Sequence, residues 1–147
     1  MTTEKSIRIM MADDDVDDRM LALEAFKENK LKNELSFTEN GEDLLNFLNH
    51  KGKYNKVNAP LPDLILLDLN MPKVNGLEAL KLIKEDERLR TIPVIMLTTS
   101  SADEDIVNSY KCGVNSFITK PVTFDQLVDV IGKMCNYWFK IVKLPSA

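Results

Sequence analysis

The spacing of apolar positions repeats one pattern five times along the chain: a short apolar run, a polar break, then a segment with apolar residues at helical spacing. Ile7 to Ala12 is an aliphatic run that ends in acids, and Met20, Leu23 and Phe26 come next at helical spacing. Leu35 to Thr38 precedes the amphipathic Leu44-Leu45-Phe47-Leu48, and Leu64-Ile65-Leu66-Leu67 precedes Leu77, Leu80 and Ile83. Val94 to Leu97 leads into a polar helix start at Ser101 to Asp105, and Ser116-Phe117-Ile118 into a long helix beginning near Thr123. Five such alternations predict an α/β fold, a doubly wound five-stranded parallel sheet with helices on both faces. The third and fourth runs are apolar at every position, as in strands covered on both sides, whereas the first and second alternate more. His50 to Pro60 breaks the rhythm as a polar, weakly basic loop before the third strand.

In a sheet of this kind the crossovers are right-handed and the ligand site lies at the carboxyl ends of the strands. The residues just after the strands are Asp13-Asp14-Asp15 with Asp17-Asp18, then Asp68, Thr98-Thr99-Ser100 and Lys120-Pro121. Carboxylates gathered on one edge repel one another unless a cation neutralises them, and an oxygen-only donor set suits Mg²⁺. Asp15 is placed to cap the helix after it, with Asp17 and Asp18 complementing its dipole in the first turn. Asp13 and Asp14, at the strand's exit, have no capping job and are the candidate metal ligands. Asp68 taken alone is a strand-end turn former. Together with the acidic pair, the Thr98 hydroxyl and the Lys120 cation, it is a candidate nucleophile that takes a phosphoryl group. Such a transfer needs positioning and charge stabilisation, with positive charge from Mg²⁺ and Lys120 and a hydrogen bond from Thr98.

Composition narrows the setting. A chain of 147 residues has room for one domain, and 44% hydrophobic with 29% charged residues describes a folded soluble protein. The net charge of -4 leaves no overall basic field, so neither direct nucleic-acid binding nor attachment to an anionic membrane is expected. Cys112 and Cys135 make neither a metal-type spacing nor a disulfide framework, which points to buried thiols in a reducing compartment. With no run of about 18 apolar residues and an N-terminal apolar run too short for a signal peptide, the expected location is the cytoplasm. His50, the one histidine, lies in the polar loop without a neighbouring base or nucleophile and is expected to be solvated rather than to relay phosphate.

The strand-end residues resemble the receiver domains of two-component response regulators. Asp13-Asp14, Leu67-Asp68-Leu69-Asn70-Met71-Pro72 with Gly76 beyond it, Thr98, and Lys120-Pro121 fall in that family's order and spacing, over about residues 6 to 134. The resemblance implies a flavodoxin-like receiver fold with strand order 2-1-3-4-5. It implies Asp68 as phosphoacceptor, Asp13 and Asp14 as metal-binding acids, Asn70 as a metal ligand through its backbone carbonyl, and Thr98 with Lys120 as the phosphate-sensing pair. Phe117 occupies the place of the switch aromatic without a polar tip, which implies a switch made by packing alone. Thr99 stands where a small residue is usual, a departure that bears on access to the site. The loop at residues 50 to 62 and the ending from Tyr137 to Pro145 resemble stand-alone receivers that partner phytochrome-type histidine kinases.

The resemblance implies a signalling protein that catalyses only its own phosphorylation and dephosphorylation, taking the phosphoryl group from a sensor histidine kinase, with a histidine phosphotransfer protein as a further candidate partner. Two other readings compete. A hydrolase of the haloacid dehalogenase type also uses a strand-end Asp with Mg²⁺, but Asp68-Leu69-Asn70 has Asn where that chemistry needs a second Asp as acid and base. A constitutive binding module would keep the acidic pocket and leave phosphorylation unused.

The C-terminal segment carries two apolar stripes, Val128-Ile131-Cys135-Trp138-Val142 and Leu127-Val130-Met134-Tyr137-Ile141. One sheet face does not cover both. The expectation is a single domain over 1–147 with an extended helix and tail at about 123–147, whose end, carrying Trp138 and Phe139, is covered by a second copy in a homodimer or else by the chain's own tail or loop.

Overall fold

A computed structural model describes residues 7–30 and 33–141 of the chain. The apolar runs form β1 (Ile7–Ala12), β2 (Asn33–Thr38), β3 (Leu64–Leu67), β4 (Val94–Thr98) and β5 (Ser116–Thr119). Between and after them lie α1 (Val16–Glu28), α2 (Gly41–Asn49), α3 (Gly76–Glu85), α4 (Asp103–Lys111) and α5 (Phe124–Cys135). The strands form one parallel sheet in the order β2-β1-β3-β4-β5. Alternation along the strands divides the core into two layers. Met10, Ala12, Ile65, Leu67, Val94 and Met96 pack with residues of α2 and α3 on one face. Ile9, Met11, Leu64, Leu66, Ile95 and Leu97 pack with residues of α1 and α5 on the other. In register, Ala12 pairs with Leu67, Leu67 with Met96 and Thr98 with Thr119, so the carboxyl ends of the inner strands finish side by side.

Local chemistry starts most of the helices. The side chains of Asp15, Asn40, Asn75 and Thr123 accept backbone N–H groups from the first turns of α1, α2, α3 and α5. At α4 the capping position is Ala102, which has no side-chain acceptor to offer. The far end of α1 is tied to α5 by Asn29, whose amide donates to the carbonyls of Ala25 (2.9 Å) and Val128 (3.0 Å).

Several expectations are corrected. β1 does not alternate at its end: Ile9 to Ala12 are all buried, because β1 is an interior strand with helices on both faces. The buried face of α1 is Ala22, Ala25 and Phe26, whereas Met20 is 54% exposed. The loop before β3 is packed rather than merely solvated. His50 Nε2 is 2.7 Å from the Ala59 carbonyl, the Tyr54 hydroxyl donates to Asp43 Oδ1 at 2.7 Å, and the Tyr54 ring meets Phe47 edge-on. His50 therefore pins the loop, in a left-handed conformation (φ 56°) that ends α2.

The C-terminal helix is not a uniform α-helix. After Cys135 it continues as a π-helix over Asn136–Ile141, and the wider winding carries Trp138 and Phe139 against the α1 and α5 layer, both half-buried. The two aromatics expected to need external cover are thus covered by the chain's own core, and Tyr137 is the one left 51% exposed. The tail from Lys143 lies outside the described residues.

Candidate functional site at the strand ends

Asp13 leaves β1 directly into the core and is fully buried; its N–H donates to the Thr38 carbonyl at 3.1 Å, holding it beside the end of β2. Asp68 leaves β3 next to it, its N–H donating to the Ala12 carbonyl at 3.0 Å. With the exposed Asp14, these residues bring three carboxylate oxygens within 4.8 Å of one another. Thr98 ends β4, fully buried, and its carbonyl accepts the Lys120 N–H at 2.7 Å, which fixes where the lysine leaves β5.

The Lys120 side chain reaches back across the edge of the sheet. Its ammonium donates to Asp13 Oδ2 at 2.6 Å and to Asp18 Oδ2 at 2.8 Å, and stands 3.6 Å from Asp68 Oδ2. Burial by itself would lower its pKa, but the hydrogen bonds to Asp13 and Asp18 and the charge of Asp68 outweigh it, so the ammonium is held above the ordinary lysine range. Burial pushes the Asp13 carboxyl up, the Lys120 contact and the Asp15 N–H pull against it, and the Asp68 charge adds to the rise.

The loop after Asp68 is pinned at both ends. Leu69 and Met71 are buried, while Asn70 between them is exposed. The Gly76 N–H donates to the Leu69 carbonyl at 2.8 Å, and the Gly41 N–H at the start of α2 donates to the Val74 carbonyl at 3.1 Å. Lys73 takes a left-handed conformation (φ 67°) at the turn between them. On the other side of the site, Thr98 Oγ1 accepts the Ser100 N–H at 3.4 Å, and the Ser100 hydroxyl donates to Asp105 at 2.6 Å on α4. Phe117 is half-buried against the core layer of α2 and α3, and its N–H donates to the Tyr110 hydroxyl at 3.3 Å. Thr99 is exposed.

The structure thus brings together Asp13, Asp14, Asp68 and Lys120, with Thr98 beside them, while Asn70 stands two residues on and Phe117 on the edge strand. Two local readings change. Asp13 does have a capping contact, its Oδ1 accepting the Asp15 N–H at 2.9 Å. Asp18 is more than a dipole-complementing acid, because it holds Lys120. The signal was present: Asp18, Ala22, Ala25 and Asn29 recur at helical spacing, and the last three form the face of α1 that meets the core and α5.

The carboxylate triad fits a divalent cation. Its donors are all oxygens, two of the three acids are buried where uncompensated charge is costly, and the third opens to solvent. A doubly wound parallel sheet with this acidic edge, a buried hydroxyl and a largely buried lysine is the arrangement of a receiver-type domain. The model of the response regulator receiver domain matches residues 9–132. The response regulator Rcp1 of Synechocystis sp. is 37% identical over 139 residues, covering 95% of this chain and 93% of that one. A phosphorylated cyanobacterial phytochrome response regulator, RcpA, superposes with a TM-score of 0.90 at 37% identity, covering 97% of this chain and all of that one. The Mn²⁺-bound form of Rcp1 superposes at 0.86 with 36% identity, covering 95% and 99%. The chain belongs to the response regulator receiver domain family, the phosphoryl-accepting components of two-component signalling. No helix of the described residues is long and apolar enough to cross a membrane.

Proposed function

We propose that Asp68 is the phosphoacceptor. A carboxylate oxygen of Asp68 attacks the phosphorus of a phosphohistidine on a sensor histidine kinase; the new O–P bond forms as the N–P bond breaks, and the imidazole leaves with the electron pair and takes up a proton. The observation that carries this reading is the meeting of Asp13, Asp14 and Asp68 within 4.8 Å, with the Lys120 ammonium 3.6 Å from Asp68. Asp13, Asp14 and Asp68, with the backbone carbonyl of Asn70, are the residues that would hold Mg²⁺, which supplies positive charge to the transferred group. Thr98 donates a hydrogen bond to a phosphoryl oxygen and Lys120 pairs with another, while Phe117 repacks behind them and changes the partner-binding surface. Chemistry at Asp68 is confined to the protein's own phosphorylation and dephosphorylation.

One relative, RcpA, is a phytochrome response regulator by name, which supports a phytochrome-type kinase as the donor, and we take the cytoplasm as the setting. A histidine phosphotransfer protein is a second candidate partner. We place the receiver and its C-terminal helix in one unit over 1–147 and infer a homodimer through the C-terminal helix region, where Tyr137 is exposed. The test of the phosphoacceptor is intact mass after incubation with a small acyl phosphate. With Mg²⁺ the wild type gains one phosphoryl group and Asp68→Asn gains none; labelling that survives in Asp68→Asn, or that ignores chelation, rejects the assignment.

A further inference from the structure

Lys120 holds one carboxylate more than phosphoryl acceptance requires. Its ammonium has three donors. Two are engaged by Asp13 at 2.6 Å and Asp18 at 2.8 Å, while Asp68, at 3.6 Å, lies beyond hydrogen-bond distance. The lysine is therefore drawn away from the phosphoacceptor and towards α1. We propose that Asp18 is a positioning residue that holds Lys120 off Asp68 until Asp68 is phosphorylated, so that the Asp18–Lys120 contact is broken on activation and its strength limits how readily the phosphorylated state forms. This inference rests on the phosphoacceptor reading and names a residue that controls it.

The argument for release is one of charge and hydration. A phosphoryl group brings about -1.5 to -2 charges and three acceptor oxygens, more than any single carboxylate in the site, so on Asp68 it draws Lys120 across the 3.6 Å gap and away from one of the two acids that hold it. The side chain of Asp13 is fully buried and that of Asp68 is 11% exposed, whereas that of Asp18 is 32% exposed. Asp18 is thus the partner that water replaces at least cost, since abandoning Asp13 would leave a carboxylate charged and dry. Asp18 and Lys120 together line a small cavity whose apolar walls include Met11, Ala22, Leu97 and Leu127. The contact also joins α1 to the segment entering α5 at the site, while at the far end of α1 Asn29 is joined to Val128 of α5. A contact made in only one of two states stabilises that state alone, and its removal shifts the balance towards the other.

Asp17 provides the control, since it lies in the same turn, carries the same charge and is exposed. Beryllofluoride, which adds to a carboxylate as a phosphoryl group does, is titrated at saturating Mg²⁺ into the wild type, Asp18→Asn, Asp18→Glu and Asp17→Asn. Asp18→Asn is expected to bind it roughly three- to tenfold more tightly, the scale of a part-exposed ion pair. Asp18→Glu and Asp17→Asn should stay within about twofold of wild type on that scale, and Mg²⁺ alone should bind Asp18→Asn no more tightly than wild type. Equal or weaker beryllofluoride binding by Asp18→Asn, or equal tightening by Asp17→Asn, overturns the proposal, the second by showing a general charge effect. The ¹⁵Nζ resonance of Lys120 in the unphosphorylated protein should move in Asp18→Asn and not in Asp17→Asn; an unmoved resonance overturns the contact itself. Failure of the wild type to bind beryllofluoride, or equal binding by Asp68→Asn, rejects the phosphoacceptor reading instead, while the resonance still reports whether Asp18 holds Lys120.

Discussion

The backbone of Gly76 lies against the carbonyl of Asp68: a Cβ at position 76 would stand 2.1 Å from that oxygen and 2.8 Å from the Cα of Leu69. Both neighbours are main chain, so no side-chain rotation relieves the clash. Gly76→Ala should cost about 1–3 kcal/mol, as overpacked sites do, read as a lower urea midpoint. Because the atom displaced belongs to Asp68 itself, Mg²⁺-dependent phosphorylation should slow as well. A variant with an unchanged midpoint and labelling rate would show that the loop has room the structure denies it.

Thr98 and Lys120 are expected to separate modification from response. Neither is the nucleophile, so Thr98→Ala and Lys120→Ala should still label at Asp68 while the structural consequence fades. Ser100 joins Thr98 to Asp105 on α4, and Phe117 joins Tyr110 on the same helix, which makes the Phe117 amide resonance a reporter of the switch. In wild type, phosphorylation should shift that resonance; in both variants the shift should fall to a small fraction. A full shift in either one removes that residue from the coupling. Lys120→Ala should also lose stability, on the order of 3–5 kcal/mol, because it strands Asp13 as a buried carboxylate without its cation.

Alkaline stability should report on Cys135. Burial raises its thiol from 9.0 to about 12. The raised value means that the unfolded chain gives up this proton first, so the stabilisation is whole below about pH 9 and declines as pH rises towards 12. Lys120, held above its ordinary 10.5, adds to the decline in the upper part of that range. Cys135→Ala should begin less stable at pH 8 because of the cavity it leaves, yet lose less on going to pH 11. The two unfolding curves should converge by up to about 1.4 kcal/mol per pH unit; parallel curves would show that the thiol does not stay protonated in the core.

The fold was legible because the strands carry it. Leu64–Leu67 and Val94–Leu97 are apolar throughout and bracketed by polar breaks, and a parallel sheet buries such runs on both faces. The site was legible for the same reason, since any residue just past the end of a strand in this topology arrives at one edge. Side chains on helices were harder to place. The buried stripe of α1 is two alanines and a phenylalanine, weaker in hydrophobicity than the exposed Met20 and Leu21 beside it, so apolar spacing alone chose Met20 over Ala22. Asp18 sits in the first turn, where an acid complements the helix dipole, so its second task, set by the face it shares with Ala22 and Asn29, is masked in the sequence. The π-helical winding after Cys135 has no proline or glycine to mark it in Asn136 to Ile141.

That winding changes what the C-terminal region is expected to do in assembly. Trp138 packs against the core of its own chain, whereas Tyr137, 51% exposed, rests edge-on against it with ring centroids 5.4 Å apart. The neighbouring aromatics should therefore respond differently to truncation. Trp138→Ala removes a packed ring and should destabilise the monomer by about 2–4 kcal/mol, less than a fully buried aromatic. Tyr137→Ser removes an exposed ring and should leave the urea midpoint within about 0.5 kcal/mol of wild type. If the C-terminal helix region pairs two copies about a two-fold axis, each Tyr137 lies in or beside the mate's surface, and Tyr137→Ser weakens the dimer while the fold stays intact. Sedimentation velocity over a range of concentrations reads this directly. A wild type that stays monomeric at tens of micromolar, a concentration corresponding to roughly 6 kcal/mol of association free energy, rejects the dimer, and a dimer that Tyr137→Ser leaves unchanged moves the interface elsewhere.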